Sequence, residues 1–180
     1  ARRRARMRWP HYKHCIQAAA GWMDALGLKG VLADSEVVLM ACRGARYHHD
    51  AAQYGGAAFC NVFLSEDRGL DLHFAATGHR IALHKGMAVI FDTGQPHAVI
   101  PRHSMGFDAA DFPPARDCTQ VFLTWELPIE NPQVARALGI TFDIETSVMS
   151  RCDHEQVRLN GAPASVCSAT GRWHYADTTS

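Results

Sequence analysis

The sequence predicts a mainly β domain, a sandwich or barrel of jelly-roll type, led in by a helix. Three observations predict it. Between residues 36 and 128 eight short apolar runs follow one another, each ended by turn residues, a spacing typical of all-β architectures. No long helical period interrupts them before residue 131. The length of 180 residues suits one domain with a sizeable core.

The helix comes first. From His11 to Leu26, the residues Tyr12, Cys15, Ile16, Ala19, Trp22, Met23 and Leu26 recur at three- and four-residue intervals and so share a face. Pro10 stands at its start and Gly27 is a stop. Candidate strands follow at Glu36–Cys42, Ala45–Asp50, Ala57–Ser65, Leu70–Ala75, Arg80–Leu83, Ala88–Phe91, His97–Pro101 and Thr119–Leu127. Gly, Pro and Asp clusters such as Arg43-Gly44, Gly55-Gly56, Asp67-Arg68-Gly69 and Thr93-Gly94 break them. Asn131 to Leu138 reads as a short helix, with a capping Asn, Pro at the first helical position and Gly139 behind it. Ile140–Glu145 and Gln156–Leu159 alternate apolar and polar residues and are expected as two further strands. Gly161 to Ser180, rich in small residues, is expected as loop with a packing point at Trp173-His174-Tyr175. Residues 1–180 are thus expected to form a single domain: a basic arm and helix at 1–30, a β core at 36–128, and a C-terminal extension at 129–180.

Composition narrows the class. Hydrophobic residues at 47% and charged residues at 20% exclude a disordered chain, and a net charge of zero gives no general affinity for nucleic acid or membrane. Arg2, Arg3, Arg4, Arg6 and Arg8 make a local exception, read as a solvated basic end. The chain starts at Ala1 without a Met, so residues are expected to precede it. The six cysteines show no Cys-x-x-Cys spacing, and several sit in apolar runs; free thiols and a reducing, cytoplasmic setting are expected.

Chemistry gathers at Tyr47-His48-His49-Asp50 and at His97, in the run GMAVIFDTGQPHAVIPR. Residues i and i+2 of a strand share a face, so an extended 47–50 would point His48 and Asp50 one way and His49 the other. A His-x-Asp pair joined by one distant His is the ligand set of a 2-His-1-carboxylate triad, which holds Fe(II) on one face and leaves the other positions open. His48, Asp50 and His97 are therefore the candidate metal ligands. His49 is expected on the outer face, and His73 as a core or outer-face residue. His11, His14, His79, His84, His103, His154 and His174 are expected exposed, and Asp92 is expected to fix the turn before His97.

The order of the segments YHHDAAQYGGAAFCNVFLSEDRGLDLHF, IALHKGMAVIFDTGQPHAVIP and QVFLTWELP resembles the Fe(II)- and 2-oxoglutarate-dependent dioxygenases, in particular their prolyl-hydroxylase-like branch. The likeness covers about residues 36–128 and rests on the His-x-Asp strand, Phe59–Leu64, Glu66-Asp67-Arg68-Gly69, Leu72-His73-Phe74, Gly86–Asp92, His97 and Trp125. It implies a double-stranded β-helix with His48, Asp50 and His97 as iron ligands at its open mouth. Fe(II) and 2-oxoglutarate are the implied cofactors, and hydroxylation is the implied activity. It also implies an Arg or Lys at the start of the last barrel strand, holding the far carboxylate of 2-oxoglutarate. Thr119 stands there instead, six residues before Trp125. Arg116, just ahead of the strand, and Arg102, five residues past His97, are the candidate replacements, since a guanidinium holds a carboxylate bidentately. Tyr47 and Tyr54, which flank the triad strand and its turn, are candidate hydrogen bonders to a bound keto acid, with aromatic packing in the barrel as the alternative.

A cupin is the rival reading, a barrel that binds metal without 2-oxoglutarate. Gly86, Gly94 and His97 match its second motif, but His48-His49-Asp50 lacks the His-x-His of its first. A barrel that binds a ligand without catalysis is the third reading. The substrate class stays open between a small molecule and a protein side chain. The insertion His103–Ala115, the N-terminal helix and the C-terminal extension are expected to shape specificity.

Overall fold

The computed structural model describes residues 9–33, 35–140 and 158–176. Helix α1 spans Tyr12–Ala25, and strands β1 (Val37–Cys42) and β2 (Ala45–His48) precede a single helical turn, α2 (Ala51–Tyr54). Then come β3 (Ala57–Phe63), β4 (Leu70–Phe74), β5 (His79–Ala82), β6 (Ala88–Asp92), β7 (His97–Pro101) and β8 (Gln120–Pro128). Helix α3 (Pro132–Leu138) and strands β9 (Arg158–Leu159), β10 (Ala162–Val166) and β11 (Trp173–Tyr175) complete the described chain.

Strand order decides the architecture. Two four-stranded sheets run β1-β8-β3-β6 and β2-β7-β4-β5. The antiparallel pairs β1·β8, β2·β7, β3·β6 and β4·β5 are nested, each enclosing the next. The chain is therefore one long hairpin with its tip at β4–β5, coiled so that successive turns lie in opposite sheets. This is a double-stranded β-helix.

Alternation gives each strand an inner and an outer face. On the outside of the first sheet, Ala58, Cys60, Val62, Leu123, Trp125 and Leu127 pack against Ala19 and Met23 of α1. Met23 is 1% exposed, and burying such a side chain stabilises by roughly 1.5–3 kcal/mol. The amphipathic face read in the sequence is thus the face that covers the sheet. Between the sheets, Phe63, Leu70, Leu72, Phe74, Leu83 and Val89 form a second core. On the outside of the second sheet, Tyr47, Ala98 and Ile100 pack with Val166 of β10 and Phe107 of the insertion.

Two expectations need correction. The described part of the Gly161–Ser180 stretch, up to Ala176, is not loop: β10 pairs with both β9 and β11 in a three-stranded sheet over the outer face of the second sheet. Ala and Ser are poor strand formers, so this hairpin is held by tertiary packing that composition does not announce. Strand β2 ends at His48, and Asp50 instead sits at the N-cap of α2. The insertion plugs the end of the barrel away from His48. Phe112 presses so closely on Gly44, in the β1–β2 turn, that a Cβ there would lie 2.3 Å from its ring, while Arg43 donates to the Arg116 carbonyl at 3.2 Å. The expected strand Ile140–Glu145, beyond its first residue, and the basic arm before Trp9 lie outside the described residues.

The short helix α3 is as expected: the Asn131 side chain accepts from Gln133 N at 2.9 Å, and Gly139 ends it at φ 66°. The free thiols are also as expected for Cys15, Cys42, Cys60, Cys118 and Cys167. Among the described residues no helix is long and apolar enough to cross a membrane.

The docking of the C-terminal hairpin turns on Gly171. Its φ is 73°, and a Cβ would lie 2.3 Å from Ala75 Cβ and 2.5 Å from Tyr47 Cδ1. Gly171→Ala is expected to destabilise by about 1–3 kcal/mol, the usual cost of overpacking, read as a lower urea midpoint. An unchanged midpoint would mean that the hairpin does not cover Tyr47 in solution.

Candidate metal centre

Pairing of β2 with β7 sets His48 directly opposite His97, with ring centroids 4.4 Å apart. Asp50 reaches the same point by a different route. It follows the strand at φ −109°, ψ 10°, and although Asp at an N-cap often bonds the helix backbone, its carboxylate makes no such bond. Its backbone is clamped instead: Asp50 N donates to Thr93 O at 2.8 Å, and Tyr54 N donates to Asp50 O at 2.7 Å. The fully buried Thr93 hydroxyl, shared between the carbonyls of Tyr54 at 2.8 Å and Ala57 at 2.9 Å, ties this turn to the β6–β7 loop. Asp92 fixes the same loop, accepting from Gly94 N at 2.7 Å.

The outcome is a convergent triad. Asp50 Oδ2 lies 3.9 Å from His48 Nε2 and 3.7 Å from His97 Nε2, and the three candidate ligating atoms are all within 4.8 Å of one another. His48 and Asp50 do share a direction, but the turn brings this about, not strand phase.

Both imidazoles are held by the same local device. His48 Nδ1 lies 2.7 Å from the Arg46 carbonyl, and His97 Nδ1 lies 2.8 Å from the Gln95 carbonyl. A carbonyl only accepts, so each Nδ1 carries the proton and each Nε2 keeps its lone pair free toward the point it shares with the Asp50 carboxylate. Burial of His97 lowers its pKa, the Gln95 bond opposes this, and the neighbouring His48 lowers it further. The neutral imidazole thus favoured is the form that binds metal.

The neighbouring histidines face elsewhere. His49 packs its ring on Trp173 at 5.0 Å, on the far side of the sheet, and burial lowers its pKa. His73 hydrogen-bonds the hydroxyl of the buried Tyr47, also on the outer side, so Tyr47 has no part in the cavity. Tyr54 does line the cavity, edge-on to Phe59 at 5.0 Å, with its hydroxyl accepting from Gln53 Nε2 at 3.0 Å.

Beside the triad, between the two sheets, lies a half-open cavity of about 750 Å³. From β8 it receives Gln120, Phe122, Thr124 and Glu126, alternate residues on the inner face. The two candidate anchors are not in it. Arg102 lies outside the barrel, bonding Asp71 Oδ1 at 2.9 Å and both Asp67 oxygens at 3.1 Å. Arg116 is exposed and donates to the Arg68 carbonyl at 3.2 Å. Counting from Trp125 also chose the wrong phase. Trp125 faces outward into the α1 core, so the first inward residue of β8 is Gln120, not Thr119. Gln120 is fully buried, and neither amide atom has a hydrogen-bond partner among the described residues. Leaving such a group unpaired costs about 1–3 kcal/mol. Sequence reasoning missed both Thr93 and Gln120; strand phase on β8 was the signal that could have found the second.

No known family model matches the chain, and no curated protein does. Five chains of solved structure match it. One is an uncharacterized conserved protein with a double-stranded β-helix domain from Klebsiella pneumoniae, 16% identical, with a TM-score of 0.34 over 53% of this chain and 64% of that one. The chain thus spans just under two thirds of that protein's length. The fold stated above rests on strand order, and this likeness adds nothing to it.

Burial lowers the pKa of His49, His73 and His97 alike. The folded protein then binds fewer protons than the unfolded chain below the ordinary imidazole value of 6.5. Stability is therefore expected to be full above that value and to decline as pH falls through it. Urea midpoints of the metal-free protein at pH 7.5 and pH 5 check this, and equal midpoints would contradict it.

Proposed function

We propose that the protein is a mononuclear non-haem Fe(II) oxygenase acting on a small organic molecule bound in the barrel. The observation that carries this reading is the convergence of His48, Asp50 and His97 on a half-open cavity between the sheets. Two neutral imidazoles and a carboxylate on one side of an ion suit Fe(II) and leave its other side open to ligands from the cavity. Fe(II) bound there would supply oxygen activation. The protein's own residues orient and exclude water. Arg46 and Gln95 fix the imidazole tautomers through their carbonyls, Thr93 holds the turn that presents Asp50, and Phe59 and Phe91 line the cavity around the triad.

The dioxygenase likeness implies 2-oxoglutarate as the cosubstrate, and the described lining does not fit that group. Its far carboxylate needs a buried cation, because an unpaired buried anion is costly. Arg102 and Arg116 are engaged outside the cavity. Arg43 borders the cavity but is exposed and turned to the carbonyls of Pro113 and Arg116. The absence of an inward base among the described residues favours an iron centre that works without base-anchored 2-oxoglutarate, as the rival cupin reading has it.

Anaerobic titration with Fe(II) tests the proposal. One equivalent is expected to bind, with affinity falling ~100-fold or more in His97→Ala and Asp50→Ala, beyond what loss of a supporting residue costs. His49→Ala is expected to bind as the wild type does. Adding 2-oxoglutarate is expected to give no charge-transfer band in the visible. Failure to bind iron sinks the metal reading; a strong band restores 2-oxoglutarate as the cosubstrate.

A further inference from the structure

The end of the cavity away from the triad holds a buried amide. Gln120 enters it from the first inward position of β8, is fully buried, and has neither its amide nitrogen nor its amide oxygen paired among the described residues. Its partner in the sheet is Cys42, the last residue of β1, which a two-residue turn joins to Ala45 at the start of β2. From Ala45 to His48 is three residues, roughly 10 Å of strand. The amide and the triad thus stand at opposite ends of one short compartment. Three of the charged groups along it are acidic, Glu36 and Glu126 joining Asp50, and one, Arg43, is basic.

We propose that this far end takes the neutral, amide-type end of a small ligand whose other end reaches the metal, and that Gln120 is the residue that selects it. The proposal rests on the metal reading above and names the ligand class for that site. A primary amide offers donors and an acceptor together, so a second amide satisfies both groups of Gln120 through two parallel hydrogen bonds. A carboxylate offers acceptors only. It would leave Gln120 Oε1 unpaired and would bring a negative charge to an end whose one bordering cation among the described residues, Arg43, is turned to the carbonyls of Pro113 and Arg116. A site built to hydrogen-bond one such group rejects the analogue that cannot reciprocate, so the selection is expected to be steep.

The test uses two probes on the full chain loaded with Co(II): 2-oxoglutarate, and 2-oxoglutaramate, the same skeleton with the far carboxylate replaced by a primary amide. Binding is read from the visible cobalt spectrum. The amide is expected to bind at least about tenfold more tightly than the dicarboxylate, a difference of ~1.4 kcal/mol. Gln120→Leu, which removes an unpaired buried amide and should fold, is expected to abolish that preference with cobalt still bound. Gln120→Arg is expected to reverse it. The proposal is overturned if the wild type binds 2-oxoglutarate as well as the amide, if the preference survives Gln120→Leu, or if neither acid binds, in which case a trapped water is all that Gln120 serves. The cobalt spectrum before any acid is added reports on the triad alone. Failure to take up cobalt refutes the metal reading and this proposal with it, whereas cobalt uptake with the wrong preference refutes this proposal only.

Discussion

Pairing of β2 with β7 places His48 across from His97, and every feature of the candidate centre depends on that register. A slip of one residue would turn each side chain of β2 to the opposite face, bringing Tyr47 or His49 inward and sending His48 out. The hydrophobic pattern resists the slip. Tyr47 is buried among Ala98 and Ile100 on the outer side, and Val99 and Leu72 face the cavity on the inner side. The register that satisfies the apolar groups is the one that assembles the triad.

Both faces of the second sheet are thereby buried with different chemistry. The inner face holds His48 and His97, which Asp50 meets from the turn after β2. The outer face carries the Tyr47–His73 pair and the buried Asp71, which accepts from Arg102 Nε at 2.9 Å and faces Arg80 at 3.6 Å. Without a cover, the apolar groups on this face would meet water. The hairpin β10–β11 supplies the cover, with Gly171 permitting its approach, and Trp173 lies over His49. Adjacent residues in β2 and in the turn after it thus belong to two separate structures, one chemical and one mechanical. The insertion packs on the β1–β2 turn at the far end through Phe112 on Gly44.

Much of this was legible in the sequence, for identifiable reasons. The eight core strands announce themselves because each is a short apolar run between turn residues, and the nested pairing then follows from chain order. The grouping of His48, Asp50 and His97 was legible from residue type and spacing, although the local geometry was misread, since Asp50 lies just past the strand. The C-terminal hairpin was not legible, because Ala162-Pro163-Ala164-Ser165 has little strand preference of its own and depends on the surface it covers. The role of Gln120 was hidden by anchoring the count on Trp125, an outward residue. Arg102 and Arg116 looked suited to an anion because charge and position in sequence carry no information about which side of a sheet a loop passes.

Anomalous diffraction from crystals grown with Fe(II) under anaerobic conditions, recorded on both sides of the iron edge, tests the central claim most directly. A single iron peak within bonding distance of His48 Nε2, His97 Nε2 and the Asp50 carboxylate, with its open side toward the cavity, is the predicted result. A peak ligated by His49 or by the cysteines, or no iron peak in crystals that keep the fold, would contradict the account.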